Sequence, residues 1–320
     1  MTAGDLFDPQ MRLAMAMKAA IAERHGLVSE GTGVTIAEAR RQYAKGRAWW
    51  NADAPRLARV IDDHLPGPHG PVPVRRYYPT AAGALPAILY FHGGGNVVGD
   101  LDTHDKVTRL IARASGCAVV AVDYRLAPEH KFPRPLDDCL AAVDFLRANG
   151  AGWDIRADRL AVAGDSAGAR WALHALIAER DSGRRALAAG ALIYGAYYGN
   201  IASPSYAKFG GPEFDLPVAD LAVYREMLLD PARPDDLARL RLDDADLADL
   251  PPVHVYGAGL DPLLDDSVRL AAALRAAGNA GDLAVYPGVV HAFIHYSRMV
   301  DQAGRLIDDV SAALARDLAP

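Results

Sequence analysis

The chain has 320 residues, of which 51% are hydrophobic and 23% charged, and it carries a formal net charge of -6 at pH 7. These proportions are ordinary for a soluble globular protein, and the length suits one large α/β domain with an appended layer. The sequence contains no basic stripe, which argues against nucleic acid as the main partner.

The sequence also argues against a membrane anchor and against a metal or disulfide framework. The apolar stretch at residues 11–22 is interrupted by Arg12 and Lys18, which predicts an amphipathic helix rather than a signal peptide or membrane span. Cys117 and Cys139 lack the spacing of a metal site or a disulfide scaffold. We therefore expect buried thiols, no metal or cofactor, and a cytoplasmic monomer or homodimer.

The N-terminal part of the chain predicts three helices joined by glycine-rich turns, at residues 8–25, 35–50 and 54–63. The second helix ends in Trp49 and Trp50, a pair that must be buried somewhere. Proline and glycine then punctuate a predicted edge hairpin over residues 66–86. We interpret residues 1–60 as an N-terminal helical cap segment.

Downstream of this segment, apolar strands alternate with helices. The predicted strands lie at residues 87–91, 118–123, 160–163, 191–194, 253–256 and 282–286. The helices that alternate with them are predicted at residues 107–115, 136–149, 267–277 and 301–318, and a further helix is predicted at residues 218–229. Such an alternation predicts an α/β fold whose mostly parallel sheet is covered by helices on both faces.

The alternation stops between residues 199 and 252, where proline, aspartate and leucine dominate. An insertion of this size between two sheet strands, with Tyr197, Tyr198 and Tyr206 in or beside it, suggests a lid over a functional site. The predicted organisation is then the cap segment followed by a first core part, a cap or lid insertion and a second core part, at residues 61–198, 199–252 and 253–320.

The strand at residues 160–163 leads directly into Gly164-Asp165-Ser166-Ala167-Gly168, and alanine-rich helical sequence follows. G-x-S-x-G between a strand and a helix is typical of a nucleophile elbow, whose glycines avoid clashes in the tight turn. It would hold the Ser166 hydroxyl above the sheet, where the helix dipole favours negative charge. An ordinary glycine-rich turn is the alternative, but the strand and helix on the correct sides favour a nucleophile.

A second glycine-rich segment, His92-Gly93-Gly94-Gly95-Asn96, follows the strand at residues 87–91. Consecutive glycines bring bare N–H groups close to a negative charge, and beside a nucleophile elbow they match the oxyanion-hole motif of esterases. A phosphate-binding loop is excluded because no Lys-Ser/Thr follows. We expect the oxyanion donors among Gly93, Gly94, Gly95 and Ala167.

A serine nucleophile needs a base and a carboxylate that orients the base. In proteins with a nucleophile elbow, the acid and then the histidine follow the serine in the chain, each on a loop after a later strand. Asp261 follows the strand at residues 253–256, and His291 follows the strand at residues 282–286. Asp265 and Asp266 are predicted to cap the next helix. The other candidates are interpreted as structural. His295 is expected to pack at the surface, and Asp165 to form hydrogen bonds with residues around the elbow. The remaining histidines interpreted as structural are His104, His174 and His254.

These motifs resemble those of the bacterial hormone-sensitive-lipase-type esterases, and most closely those of the bacterial acetyl esterases. Further similar segments lie at residues 41–55, 99–105, 261–266 and 291–299, so the resemblance covers nearly the whole chain. The resemblance implies an α/β-hydrolase core, a helical cap formed by the N-terminus and the insertion, and hydrolysis of short-acyl esters. It also places the oxyanion donors at Gly94, its neighbouring glycines and Ala167.

The sequence departs from this family at two positions. Asn96 stands where an aromatic residue usually follows the glycines, and Arg170, followed by Trp171, stands where a small, amide or apolar residue is usual. Arg170 lies four residues after Ser166 and thus on the same helix face. Either Asn96 and Arg170 form a polar subsite for a substrate carboxylate or carbonyl, or Arg170 meets a structural carboxylate or solvent.

The sequence therefore predicts a serine carboxylesterase that acts on small-molecule esters with acetyl to butyryl groups, with Ser166, Asp261 and His291 as its triad. Two other functions remain open. An amidase or lactonase would use the same residues. A ligand receptor of this fold would not hydrolyse its ligand, and it would be expected to have lost part of the triad.

Overall fold

The computed structural model describes residues 6–27, 34–81, 83–198 and 202–319. Its helices are α1 (Pro9–His25), α2 (Ile36–Asn51), α3 (Asp105–Ser115), α4 (Arg134–Asn149), α5 (Ala167–Asp181), α6 (Pro204–Phe209), α7 (Val218–Leu228), α8 (Asp236–Leu240), α9 (Leu264–Ala276) and α10 (Asp301–Asp317). Its strands are β1 (Arg59–Leu65), β2 (Val72–Tyr78), β3 (Leu85–Phe91), β4 (Ala118–Val122), β5 (Ile155–Asp165), β6 (Leu187–Ile193), β7 (Val253–Leu260) and β8 (Leu283–Val290).

The strands form one eight-stranded sheet in the order β1-β2-β4-β3-β5-β6-β7-β8. Strands β3 to β8 run parallel to one another, and β1 and β2 form an antiparallel edge. Parallel strands need crossover connections, and the helices between them supply these. The predicted α/β fold with a mostly parallel sheet is confirmed.

The two faces of the sheet are buried under different helices. Along β3, Leu89 and Phe91 join the apolar cluster that includes residues of α4, α5 and α9. Ile88 and Tyr90 join the opposite cluster, which includes residues of α3 and α10. Because successive side chains of a strand point to opposite faces, a strand in such a position is apolar along its whole length.

The predicted helix at residues 54–63 is wrong, because Arg59–Leu65 forms β1 and pairs antiparallel with β2. Cross-strand ion pairs link Arg75 to Asp62 and Arg76 to Asp63, each at 2.5 Å. Tertiary pairing of this kind overrides a weak local preference for helix. The hairpin therefore begins before residue 66, and the predicted boundary at residue 60 falls inside β1.

Helices α6, α7 and α8 occupy the stretch between β6 and β7, where the alternation of strands and helices stops. None of the helices that the structure describes is both long and apolar enough to cross a bilayer. Cys117 and Cys139 are buried and unpaired, as the sequence predicts.

Candidate active site

Ser166 occupies a backbone position that its neighbours impose on it. It lies between the end of β5 and the start of α5 with φ 54° and ψ -118°, a conformation that costs a non-glycine residue energy. A Cβ on Gly168 would lie 1.9 Å from the Phe91 carbonyl oxygen, and one on Gly164 would lie 2.5 Å from the Gly168 carbonyl carbon. The close packing of strand, turn and helix therefore requires both glycines and holds Ser166 at the strand end.

Ser166, His291 and Asp261 form a continuous chain of hydrogen bonds. The His291 Nε2 atom is 2.8 Å from the Ser166 Oγ atom, and His291 Nδ1 is 2.7 Å from Asp261 Oδ2. Asp261 directly follows β7 and His291 directly follows β8, so neighbouring parallel strands deliver both side chains to one edge of the sheet. When Nδ1–H donates to Asp261, Nε2 can accept the proton of the Ser166 hydroxyl.

Asp261 is fully buried, and its second carboxylate oxygen accepts the Leu263 N–H at 2.8 Å. The neighbouring carboxylates do not cap α9 as predicted. Asp266 accepts the backbone N–H groups of Tyr197 and Tyr198, and Asp265 accepts that of Ser205. These carboxylates therefore tie the segments around the insertion to α9 instead of capping the helix that carries them.

The glycine loop after β3 lies against the elbow at very close range. The Gly93 N–H donates to Asp165 Oδ1 at 2.9 Å, which corrects the expectation that Gly93 donates to an oxyanion. Gly94 has φ +119°, and a Cβ there would lie 2.1 Å from the Val98 carbonyl oxygen. A Cβ on Gly95 would lie 2.4 Å from the Tyr224 ring. Only glycine lets the loop backbone pass at these points.

Three N–H groups remain for a negatively charged oxygen. The Gly94 and Gly95 N–H groups donate to no other described residue. Ala167 is the first residue of α5, so its N–H has no acceptor within the helix. Gly94 and Gly95 border a cavity that reaches Ser166, and Gly95 and Ala167 border a second one that also reaches it.

Asp165 connects the glycine loop to a buried cluster of aromatic and imidazole side chains. Tyr90 donates to Asp165 Oδ1 at 2.8 Å, and His104 Nε2 lies 3.4 Å from the same oxygen. Burial alone would raise the pKa of Asp165, but His104 above all, with His295 and Tyr90, lowers it below the usual range of a carboxyl group. Asp165 therefore fixes the loop as an ionised carboxylate and makes no hydrogen bond to His291 in the described structure.

His295 is buried, which corrects its predicted surface position. Its ring packs edge-to-face against His104, with centroids 4.6 Å apart, and burial lowers the pKa of His295 well below the usual imidazole value. The ligating atoms of His104, Asp165 and His295 lie within 4.8 Å of one another, so this cluster has the spacing of metal ligands among the described residues. The expectation of a metal-free protein stays a prediction.

Two cavities meet at Ser166. The larger, of about 450 Å³, also contacts His291 and is enclosed by residues of α1, α2 and α7 that include Lys18, Trp50 and Tyr224. The smaller, of about 100 Å³, contacts Ala167 and the first turn of α5 but not His291. The hydroxyl of Ser166 thus stands at the junction of a wide space and a narrow one.

The two positions at which the sequence departs from its family both line the smaller cavity. The Asn96 side-chain oxygen accepts the Trp171 Nε1–H at 2.8 Å, so that oxygen supports the wall. Arg170 Nε donates to the Ala196 carbonyl oxygen, and no carboxylate lies within 4.0 Å of Arg170 among the described residues. No contact therefore supports the structural-carboxylate alternative for Arg170, and the solvent alternative stays open for this half-buried side chain.

The sequence did not reveal which helix residues enclose the larger cavity. Lys18, Tyr43 and Arg47 lie on α1 and α2, and Tyr224 lies on α7. Polar and aromatic side chains on a helix are usually solvated or packed, so nothing in the local pattern marked them. Only their position across from Ser166 identifies them.

Comparison with known proteins shows the family to which the chain belongs. Residues 88–295 match the family model for the alpha/beta hydrolase fold. The structure is similar to an ester hydrolase from the metagenome of Lake Arreo, with 35% identity, a TM-score of 0.89 and coverage of 97% of this chain and 98% of that one. It is also similar to a hyperthermophilic esterase from the archaeon Pyrobaculum calidifontis, with 32% identity, a TM-score of 0.88 and coverage of 98% and 99%.

A third similar structure is that of a thermophilic and thermostable carboxylesterase cloned from a metagenomic library. It shares 33% identity at a TM-score of 0.85, over 90% of this chain and 99% of that one. The chain belongs to the α/β-hydrolase family, among the esterases of hormone-sensitive-lipase type.

Proposed function

We propose that the protein is a serine carboxylesterase that hydrolyses short-acyl esters, from acetyl to butyryl. The observation that carries this proposal is the hydrogen-bond chain from Ser166 through His291 to Asp261. Ser166 borders two cavities, which the N–H-bearing residues Gly94, Gly95 and Ala167 also line. A hydroxyl, a base and an orienting carboxylate in this order are the components of acyl transfer. A ligand receptor that does not hydrolyse its ligand would have no need of the complete set of serine, histidine and aspartate.

The reaction has two halves. Ser166 Oγ bonds to the ester carbonyl carbon while its proton passes to His291 Nε2, and the charge on the carbonyl oxygen is held by the N–H groups of Gly94, Gly95 and Ala167. His291 returns the proton to the alcohol oxygen as that C–O bond breaks. Water then attacks the acyl-enzyme, its proton passes through His291 to Ser166, and the acid leaves. Each oxyanion donor contributes on the order of 100-fold in rate.

The position of His291 supports different roles for the two cavities. The leaving alcohol must lie next to the group that protonates it, and His291 lines only the larger cavity of the two. The alcohol part of the substrate therefore occupies the larger cavity and the acyl group the smaller. The smaller cavity, at about 100 Å³, has less than a quarter of the volume of the larger one, at about 450 Å³, which supports the short-acyl preference.

We further propose that the described parts of residues 1–58, which precede β1, and of the insertion at residues 199–252 act as a cap over the site. Support comes from the larger cavity, which Lys18 of α1, Trp50 of α2 and Tyr224 of α7 line together with Ser166 and His291. Trp50 is buried and packs edge-to-face on Tyr296, with ring centroids 4.6 Å apart. The cap would then set the shape of the alcohol site.

A panel of p-nitrophenyl esters of increasing acyl length tests the proposal, together with the matching anilides and a lactone. We expect kcat/KM to be highest from acetyl to butyryl and to fall steeply for longer chains, because the acyl cavity is small. Faster turnover of decanoyl than of acetyl esters would refute the short-acyl preference. Preferential turnover of the anilide or lactone would assign the same site to the alternative substrate class.

The control for the panel is Ser166→Ala. Removal of the attacking oxygen should lower kcat by at least about 10⁴-fold for every ester, while the thermal melting temperature stays within a few degrees. Turnover at the wild-type rate in this variant would remove Ser166 from the mechanism.

A further inference from the structure

The smaller cavity is positively charged. Arg170, Arg225 and Arg241 all line it, and no aspartate or glutamate is among its described lining residues. Arg241 is neutralised by Asp243, whose carboxylate lies 2.7 Å away. The larger cavity differs, since its lining includes Asp215 and Asp220 as well as cationic residues. An excess of positive charge is therefore confined to the side that receives the acyl group.

Arg170 is the member of this group closest in sequence to the nucleophile. It lies one helical turn beyond Ser166 in α5, on the same face, and both side chains border the cavity. Its Nε donates to the Ala196 carbonyl oxygen, which orients the guanidinium and leaves both terminal nitrogens without a hydrogen bond to any described residue. Burial lowers the pKa of Arg170, yet arginine stays protonated in proteins.

No carboxylate among the described residues contacts this guanidinium within 4.0 Å. Asp266 is the first opposite charge that acts on Arg170, but no ion pair within 4.0 Å joins them. The Asp266 Oδ2 atom already accepts the N–H groups of Tyr197 at 2.8 Å and Tyr198 at 3.0 Å. A partly buried cation that lacks a contacting anion is costly, so a ligand that supplies one gains from the pairing.

We propose that the smaller cavity binds an acyl group that ends in a carboxylate, as in the half-esters of short dicarboxylic acids, with Arg170 as its partner. This inference rests on the proposed esterase function. The terminal nitrogens of an arginine match the two oxygens of a carboxylate in a bidentate pair. The small cavity favours a short chain between the reacting carbonyl and the carboxylate. The hydrolytic step is unchanged and yields the alcohol and the dicarboxylic acid.

The test compares each half-ester with a neutral substrate of the same shape. Monomethyl succinate is paired with methyl succinamate, and monomethyl glutarate with methyl glutaramate, with hydrolysis followed by NMR and corrected for the uncatalysed rate. We expect kcat/KM to be at least about tenfold higher for one of the half-esters than for its amide. In Arg170→Met this ratio should fall at least tenfold, and Arg170→Lys should lie between the two because it keeps the charge without the planar fork.

A matched charge deletion and a binding measurement complete the design. Arg305→Met removes an exposed arginine from α10, and we expect its half-ester to amide ratio to equal that of the wild type. Succinate should raise the melting temperature of the wild type but not that of Arg170→Met, which reports binding without turnover. Succinamide should have no such effect.

The outcomes separate this inference from the proposed function. Hydrolysis of p-nitrophenyl acetate without any preference for half-esters would overturn the carboxylate subsite and leave the esterase intact. Equal losses on the half-ester and its amide in Arg170→Met would also overturn it and leave Arg170 a packing role. If no ester is hydrolysed, the proposed function fails, and the succinate melting shift still decides whether the cavity binds a carboxylate.

Discussion

The active site has a floor and a wall, and different physical constraints build them. The proposed catalytic floor consists of Ser166, His291 and Asp261 with the N–H groups of Gly94, Gly95 and Ala167. Its geometry follows from strand ends, glycine positions where a Cβ would clash, and buried hydrogen bonds. The helical wall consists of the residues of α1, α2 and α7 that enclose the larger cavity, where side chains on partly exposed helices set the shape. Under the proposed function, the floor therefore determines the reaction, and the wall selects the substrate.

This difference has a kinetic signature. A change in the catalytic floor removes interactions made in every transition state, so it should lower kcat for all esters by a similar factor. A change in the helical wall touches only one part of the substrate, so it should alter the ratios between esters. The predictions below use that distinction.

The largest expected effect in this group belongs to Asp261→Asn. An amide that donates to His291 Nδ1 would force the proton onto Nε2, where it blocks acceptance of the Ser166 proton. We expect kcat to fall on the order of 10⁴-fold for short and long esters alike. Stopped-flow or steady-state kinetics with p-nitrophenyl acetate and p-nitrophenyl butyrate would measure the loss of kcat.

Asp265→Asn is the matched control for this substitution. Asp265 makes the same kind of carboxylate contact four residues away, to the Ser205 N–H, and it has no hydrogen bond to His291. We expect its kcat to stay within about threefold of the wild type. Similar losses in both variants would show that general damage to this segment, and not the His291 tautomer, is responsible.

Gly94→Ala should have an intermediate effect. The added Cβ would lie 2.1 Å from the Val98 carbonyl oxygen, so the loop must shift and move the Gly94 N–H away from the oxyanion. We expect kcat to fall by about 10²- to 10³-fold, uniformly across acyl lengths. Kinetics on the acyl panel would measure this, and circular dichroism melting would report the accompanying loss of stability.

Gly116→Ala controls for backbone strain alone. Gly116 has φ +70° at the end of α3, but nothing lies within 4 Å of an added Cβ. This variant should lose stability without a comparable loss of kcat. If Gly94→Ala changed only KM for long acyl chains, Gly94 would belong with the substrate-selecting surfaces instead.

Much of the catalytic floor was predictable because its constraints are local in sequence. Ser166 lies in a pentapeptide whose glycines the turn requires, and Asp261 and His291 each follow an apolar strand. Parallel strands bring their carboxyl ends to one edge, so the order of the motifs was enough to place all three at that edge. Gly93 was misjudged because its N–H is used by Asp165, a contact between residues 72 positions apart.

The helical wall and the buried cluster were not predictable in this way. Tyr224 lies on a helix whose pattern does not mark the face that meets Gly95. His295 was expected on the surface, but contacts with His104 bury it. For Arg170 the sequence placed the residue near Ser166 yet left two interpretations, because only packing reveals which carboxylates are within reach. Residues 54–63 were predicted as a helix because pairing with β2 was invisible to local pattern.

The smallest expected effect belongs to Lys18→Met in the helical wall. Lys18 on α1 forms an ion pair with Asp215, which precedes α7, and both line the larger cavity. The Lys18 side chain is 46% exposed, so solvent screens the pair and its contribution to stability should be at most about 1 kcal/mol. We expect the melting temperature to fall by no more than about 4 °C.

The kcat for acetyl esters of small alcohols should stay within about twofold, while the ratio of kcat/KM for bulky over small alcohols shifts by about threefold. Lys45→Met, at an exposed position of α2 that does not line the cavity, should leave that ratio unchanged. A uniform tenfold loss of kcat in Lys18→Met would show that α1 helps to position the catalytic floor, and the division between floor and wall would then have to be redrawn.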